Sequence, residues 1–573
     1  MIGAGLTAVP GFAEGGAEKP EWIQRSDRIT QQLLDIRFDG CPEEGSQEGV
    51  TRYDPLVSTP TVAHELELVE RKKALAARLQ ASLVGEKDVR LVQDYKILLD
   101  SIREDLDERD YSETHNVVFR DPHSLVNDGL SFLLDAQTAA ERRPAVVDRI
   151  RKYAGLEAGT QPLCEVLRAR MQSQMDKPAM LYPSRSEVET ALARSSQLVA
   201  GLEKLLQESQ LEGWQEPFQT LKLQLAAYDA WLKEAVLPRA RQDFRLGHEA
   251  YARYFAARGI SGITPEQLAA EAHQAYAEIQ SQMAEVAARI AQERHLPSSD
   301  YRDVMKVLKA EQIPPEAILG VYQERLKQIE GLVREHDIVT LPEGQAVIRT
   351  ATEAEAALVP GPQMIPPPLV KNTGQRGNFV IPLRSSDGQK FDDFTYDAIS
   401  WSVTAHEARP GHELQFDSMV DKGVSKARAI YAANSANIEG WGLYCEWLIL
   451  PYMPPEGQLA SLDGRLLRAA RAFLDSELHA GKITLEEARR LLTEDVLLSP
   501  SMVNSEIRRY TFDEPAQACS YFYGYNQLRQ LRDETEKAMG AKFSARDFHN
   551  FVLDQGLLPP PLLRETVRQH FLR

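Results

Sequence analysis

Apolar residues recur at helical spacing from Thr61 almost to the C-terminus, and the pattern is broken once, between about 340 and 395. In the run HELELVERKKALAARLQASL, Leu66, Val69, Leu75 and Leu79 fall on one stripe with charged residues around it. Similar amphipathic patterns cover 91–107, 138–155, 186–209, 214–236 and 264–293. Thr264-Pro265-Glu266-Gln267 offers a capping hydroxyl, a proline at the first helical position and a glutamine to close a capping box, and Thr484-Leu485-Glu486-Glu487 repeats that logic. At the interruption, Pro360, Pro362 and Pro366-Pro367-Pro368 forbid helix. The following GNFVIPLRSS places Phe379, Val380 and Ile381 in a β-prone run, which Pro382 confines to an edge strand or a very short sheet. The expected fold is mostly α: a large helical bundle with a deep central cleft and a short β-hairpin or small sheet ahead of a metal-bearing helix.

Residues 1–60 read as an irregular N-terminal segment, with RFDGCPEEGSQEGVTRYDP laid over the surface. Met1 to Ala13 is small and mildly apolar but lacks a basic leader, so it fits either a signal remnant or a frayed start. A cytoplasmic and an exported or periplasmic location in a bacterium therefore both stay open. Residues 61–573 read as one large helical domain, with an N-terminal half over 61–339 and a metal-bearing half over 340–573.

Charge narrows the partners. With 84 acidic against 66 basic side chains the net charge is −18, which repels phosphate backbones and anionic lipid and argues against nucleic acid and membrane surfaces. No apolar stretch reaches the length of a membrane span. Cys41, Cys164, Cys445 and Cys519 have no paired spacing and read as free thiols.

The chemistry concentrates in DAISWSVTAHEARPGHELQF, where His406, Glu407 and His412 form the pattern H-E-x-x-x-x-H. Imidazole nitrogens suit zinc, and a carboxylate beside the first histidine can take a proton from an attacking water. Histidines six residues apart differ by about 600° on an ideal helix, so they point about 120° away from each other. A regular helix therefore cannot bring both to one ion. Pro410 and Gly411 supply the remedy, and a kink or bulge is expected at 409–411.

A third ligand comes from NSANIEGWGLYCEWLIL. Glu439 and Glu446 lie seven residues apart in an apolar helix, where buried carboxylates are costly unless paired or metal-bound. Glu439 is assigned to the metal and Glu446 to a position behind it, orienting a histidine. Further on, Arg508, Arg509, Gln517, Tyr521, Tyr523 and Tyr525 cluster in EIRRYTFDEPAQACSYFYGYNQLRQLRD. A phenol near a metal can donate to a developing oxyanion and an arginine can hold a substrate carboxylate, although core packing with a surface ion pair would also explain such a cluster.

HEARPGHELQ, EGWGLYCEW, RRYTFDEPAQACSYFYGYNQLRQLRD and FHNFVLDQGLLPPPLL resemble the blocks of the bacterial domain-of-unknown-function family eight-eight-five. That family is regarded, by inference, as zinc metallopeptidases similar in architecture to carboxypeptidase Taq and the angiotensin-converting-enzyme-like peptidases. The resemblance implies one zinc ion per chain, held by His406, His412 and Glu439, with Glu407 as general base. It also implies a pocket that includes Arg509, Gln517 and Tyr521; from the cluster itself, Tyr521 is expected as a catalytic donor and Tyr525 as a substrate-binding residue. Two departures stand out: Glu413, where many members carry a second histidine, and Gly442, where many carry alanine. Neither position is expected to touch a ligand.

The expected activity is zinc-dependent hydrolysis of short peptides. Two alternatives remain: the same machinery acting on acylated amino acids or other small amides, and a non-catalytic scaffold with a relic site. A di-iron carboxylate bundle would need Glu-x-x-His pairs, and none of the 12 histidines has a glutamate three residues before it.

Overall fold

A computed structural model describes residues 19–352, 355–356, 361–383 and 392–572. Helices dominate it, and the capping signals at Thr264 and Thr484 both form the reciprocal side-chain bonds of a capping box. The long helix Pro265–Arg294 (α1) packs along Pro455–His479 (α6), and together they carry the largest apolar cluster. Ala469, Ala470 and Ala472 on α6 are fully buried, and such small side chains let the two helix backbones approach closely. Pro315–Glu335 (α2) leads into the interruption. After it come Asp397–Glu407 (α3), His412–Lys422 (α4) and Ser435–Ile449 (α5), then α6. A ten-residue helix, Leu485–Glu494, and then Pro500–Arg508 (α7), Gln517–Met539 (α8), Ala545–Asp554 (α9) and Pro560–Phe571 (α10) follow in this half.

The interruption holds a three-stranded sheet of order β1-β3-β2, made of Val347–Thr350 (β1), Gln363–Ile365 (β2) and Asn378–Ile381 (β3). β3 runs parallel to β1 and antiparallel to β2. The β-prone run is therefore the central strand, and all four of its residues are buried. Pro382 is tolerated because it falls one residue past the strand's end, where no ladder bond is lost.

The N-terminal segment departs from expectation. Glu21–Gly40 is a 20-residue helix, followed by a short helix at Pro42–Gln47, and neither lies loosely on the surface. Leu33, Leu34, Ile36 and Phe38 are buried, with Tyr53 packing edge-on against Phe38. The glycine- and proline-rich flanks at 14–20 and 40–50 obscured a helical pattern running from Ile23 through Thr30 and Leu34 to Phe38. In Val62–Leu83 the stripe Val69, Leu75 and Leu79 is buried as its spacing predicts, but Leu66 lies off it and is exposed. Residues 1–18, where a signal remnant was considered, lie outside the described residues.

No disulfide joins the described cysteines, and no described helix is long and apolar enough to cross a membrane.

Candidate metal centre

The helix that begins at Asp397 stops at Glu407, and a new one begins at His412. Ala408 leaves helical dihedrals with ψ −111°, and the Arg409–Pro410 peptide is cis. The kink expected at 409–411 is thus a full interruption over 408–411. Gly411 folds directly back onto the end of α3. A Cβ there would lie 1.8 Å from the His406 carbonyl oxygen and 2.5 Å from that of Ala405, so no other residue can close this turn. The imidazoles of His406 and His412, splayed apart on a regular helix, stand 4.6 Å apart between centroids at 86°.

α5 supplies the rest of the centre from one face, on which positions 439, 442 and 446 align. Glu439 Oε2 lies 3.5 Å from His406 Nε2 and 3.5 Å from His412 Nε2. Tetrahedral zinc with bonds near 2.05 Å separates neighbouring donor atoms by about 3.4 Å, so two imidazole nitrogens and one carboxylate oxygen fit such an ion in spacing and in type. Among the described residues this is the one group of three or more His, Cys, Asp or Glu side chains that converges this way. The histidine side chains are 4% and 7% exposed and that of Glu439 17%, so access lies on the glutamate's side.

Glu446 accepts from the far nitrogen of His406, Nδ1, at 2.8 Å, which leaves Nε2 directed at Glu439. Ser402 Oγ and Arg468, the latter at 3.3 Å, also donate to Glu446 and offset the cost of burying it. Between the two glutamates, Gly442 faces the His406 ring. A Cβ at 442 would lie 2.6 Å from His406 Cε1 and 2.7 Å from Nε2, so the expectation that this position stands clear of the ligands is overturned. The same helix anchors the break: Trp441 Nε1 donates to the carbonyls of Pro410 at 3.0 Å and Gly411 at 3.2 Å, and the Cys445 thiol donates to Pro410 at 3.3 Å. Glu413 is buried and bonds Arg409 at 2.6 and 2.8 Å, while Arg409 also reaches Glu330 at 2.8 Å. It braces the interruption and makes no contact with the three donor atoms. His412 Nδ1 is buried without a hydrogen-bond partner.

The electrostatics follow from this packing. Burial works against the charged form of His406, but the Glu439 and Glu446 carboxylates outweigh it and hold the ring up at about 9. Burial would likewise raise Glu439, yet bonding to both histidines keeps it well below the ordinary carboxylate range. Burial raises Glu407, with the two histidines pulling the other way.

α5 and α8 cross with backbones in contact at Gly440 and Gly524, where a Cβ on either would meet the other helix at 2.5 Å or less. That approach brings the start of α8 to the centre. Gln517 Nε2 donates to Glu439 Oε1 at 3.4 Å and to Ser435 Oγ at 3.2 Å, so the amide expected to line a substrate pocket also steadies the candidate ligand. Arg509, the first residue of a π-helical turn that ends α7, donates to Gln517 Oε1 at 3.2 Å and to the Tyr521 hydroxyl at 3.3 Å. The Tyr521 ring lies 6.3 Å from His406, nearly parallel to it. Burial first, and then the nearby Glu439 charge, raises the Tyr521 phenol and keeps its proton on. Tyr525 lies one turn further along α8, where its hydroxyl accepts from Arg529 at 2.9 Å and makes no described bond to the donor set.

Arg468 and Arg471 on α6 belong to the site and escape a motif search. Arg471 is closed by Glu506 at 2.6 and 2.7 Å, and its guanidinium lies 4.7 Å from the centre of the Tyr521 ring. Their signal is the arginine row in RLLRAAR, set in an apolar helix just as Glu439 and Glu446 are.

A profile of the family described as bacterial protein of unknown function (DUF885) matches residues 42–567. No curated protein matches the chain. Among solved structures, an inferred lipoprotein of unknown function from Shewanella oneidensis is similar at TM-score 0.71 and 21% identity, over 96% of this chain and 99% of that one. An inferred lipoprotein from Colwellia psychrerythraea is similar at TM-score 0.76 and 19% identity, over the same shares of 96% and 99%. At these identities the likeness concerns the fold.

Proposed function

We propose that this chain, which belongs to the DUF885 family of bacterial proteins of unknown function, is a zinc-dependent hydrolase of short peptides. The convergence of His406 Nε2, His412 Nε2 and Glu439 Oε2 beside an unbonded Glu407 carries this reading. A divalent ion bound there supplies Lewis acidity and makes water acidic enough to attack a carbonyl near neutral pH. The chain's own residues do the remaining work. Glu407 follows His406 directly, and its carboxylate has no hydrogen-bond partner among the described residues, which leaves it free to take the proton from the attacking water and pass it to the leaving amine. Glu446 fixes His406 through Nδ1, and Gln517 fixes Glu439 through Oε1, so two of the three donors are held before any ligand arrives. Tyr521 accepts from Arg509, which leaves its own proton to donate to the oxygen that gains charge. Arg509 can meanwhile take a substrate carboxylate. The near-complete burial of the histidines favours small, extended substrates over folded proteins.

Digestion of a synthetic peptide library, read by mass spectrometry, tests the reading with the Glu407→Gln variant alongside. The variant should keep its metal and lose about 100- to 10,000-fold in kcat/KM. Turnover that survives the substitution contradicts the mechanism.

A further inference from the structure

We propose that the site selects acidic peptides, with Arg465 and Arg468 of α6 receiving a carboxylate side chain of the substrate; the proposal rests on the hydrolase reading above and names its substrate class. In a chain with a net charge of −18, guanidinium groups converge on the two tyrosines of the α6–α8 seam. Arg465 lies 5.5 Å from the centre of the Tyr525 ring, Arg468 6.0 Å and Arg471 4.7 Å from that of Tyr521. Arg509 donates to the Tyr521 hydroxyl and Arg529 to that of Tyr525.

These cations are not equally neutralised. Arg471 is fully closed by the bidentate pair with Glu506. Arg529 stacks 3.9 Å from the Trp447 ring and has Asp533 at 3.8 Å. Arg509 has only the neutral Gln517 and Tyr521 as hydrogen-bond acceptors, with Glu506 further off at 3.9 Å. Arg468 donates to the Gly464 carbonyl at 3.0 Å and has one ion pair, a 3.3 Å bond to Glu446, which already serves His406 and Ser402, and its buried Nε has no partner. Arg465 has no carboxylate within ion-pair reach among the described residues. Two further acids stand near Arg468, Glu407 and Asp463; burial raises both, Asp463 to about 7, and Arg468 pulls both the other way.

A partly buried guanidinium with no counter-charge, as at Arg465, or with one that is shared, as at Arg468, gains from a ligand carboxylate that completes it. If Arg509 takes the terminal carboxylate of a peptide, Arg465 and Arg468, one helical turn apart on α6, still present positive charge. An acidic side chain neighbouring the scissile bond supplies that second negative charge, with the planar, bidentate geometry that guanidinium groups favour.

The test is binding, so that it does not depend on turnover. The metal-loaded Glu407→Gln variant is titrated with fluorescein-labelled pentapeptides that have free C-termini and carry glutamate, glutamine or lysine at each of the last three positions. At one position the glutamate peptide should bind about tenfold more tightly than its glutamine isostere. Arg465→Gln should abolish that preference, and Arg465→Lys, which keeps the charge but not the bidentate geometry, should retain part of it, a partial rescue that a merely structural role would not give. Equal binding of glutamate and glutamine peptides at every position, or a preference indifferent to Arg465→Gln, overturns this proposal alone. Failure of every peptide to bind overturns it together with the peptide reading of the site.

Discussion

Two buried clusters of charge in this molecule are built alike and finished differently. In the N-terminal half, Arg142 grips Asp54 at 2.6 and 2.8 Å and the Ser46 carbonyl at 2.6 Å, while Arg149 donates to the carbonyls of Tyr53, Leu56 and Gly129. Glu43 nearby takes the Tyr153 hydroxyl at 2.7 Å and the Ser58 amide at 2.9 Å. Around His406, by contrast, His412 Nδ1 and Arg468 Nε are buried without a hydrogen-bond partner, and the half-buried Glu407 carboxylate accepts no hydrogen bond among the described residues. The first cluster is complete within the chain and ties the N-terminal helices to the bundle. The second leaves groups unpaired around the converging donors, and the proposed hydrolase chemistry assigns the Glu407 carboxylate to a bound water.

The comparison breaks most readily at Arg142. Arg142→Ala leaves Asp54 buried without its partner, and chemical denaturation should show a loss of about 3–5 kcal/mol. The metal affinity of the folded fraction should be unchanged; a selective loss of metal would mean that the two clusters are not separate.

Asp475 gives an intermediate case, buried and half satisfied but far from the donor set in kind. It accepts from the Tyr251 hydroxyl at 2.9 Å and from the backbone N–H of Ala516 at 3.1 Å, while its second oxygen has no partner. Burial raises its carboxyl to about 7, with the Ala516 N–H opposing. Because the folded value lies above the unfolded one, the native state binds more protons between about pH 4 and 7, and stability falls as pH rises through that window. Asp475→Asn keeps the two bonds to Oδ1 and should be more stable than the parent by about 2–4 kcal/mol at pH 8, with little difference at pH 4. Equal stability at both pH values would show that the carboxyl is not held neutral.

The smallest expected effect is the most local. Gly442→Ala places a methyl group against the His406 ring, and the ring must shift to admit it. Competition with a chelator should show metal affinity lower by about 10-fold, at unchanged thermal stability of the metal-free protein. Unaltered affinity would mean that ring and helix adjust together.

How much of this was legible in the sequence depends on the range of the forces involved. Helix spans and caps follow from local periodicity, so Thr264 and Thr484 start their helices as their residues dictate. The interruption at 408–411 is legible for the same reason, since proline and glycine act on neighbouring backbone. The pairing of Glu446 with His406 is also foreshadowed, because carboxylates in an apolar helix need a partner. The central place of β3, by contrast, depends on β1 and β2, which come from elsewhere in the chain. The contact of Gly442 with His406 depends on how two helices cross, and no spacing within either helix encodes it. The family resemblance places Gln517 in a pocket; that it also donates to Glu439 depends on the crossing at Gly440 and Gly524.

Metal analysis of the purified protein after dialysis, with three variants in parallel, bears most directly on the open cluster. The account predicts about one divalent ion per chain in the parent and in Glu407→Gln, and near-complete loss in His412→Ala and in Glu439→Ala. A parent protein that holds no ion when zinc is supplied, or a His412→Ala variant that keeps it, would contradict the account.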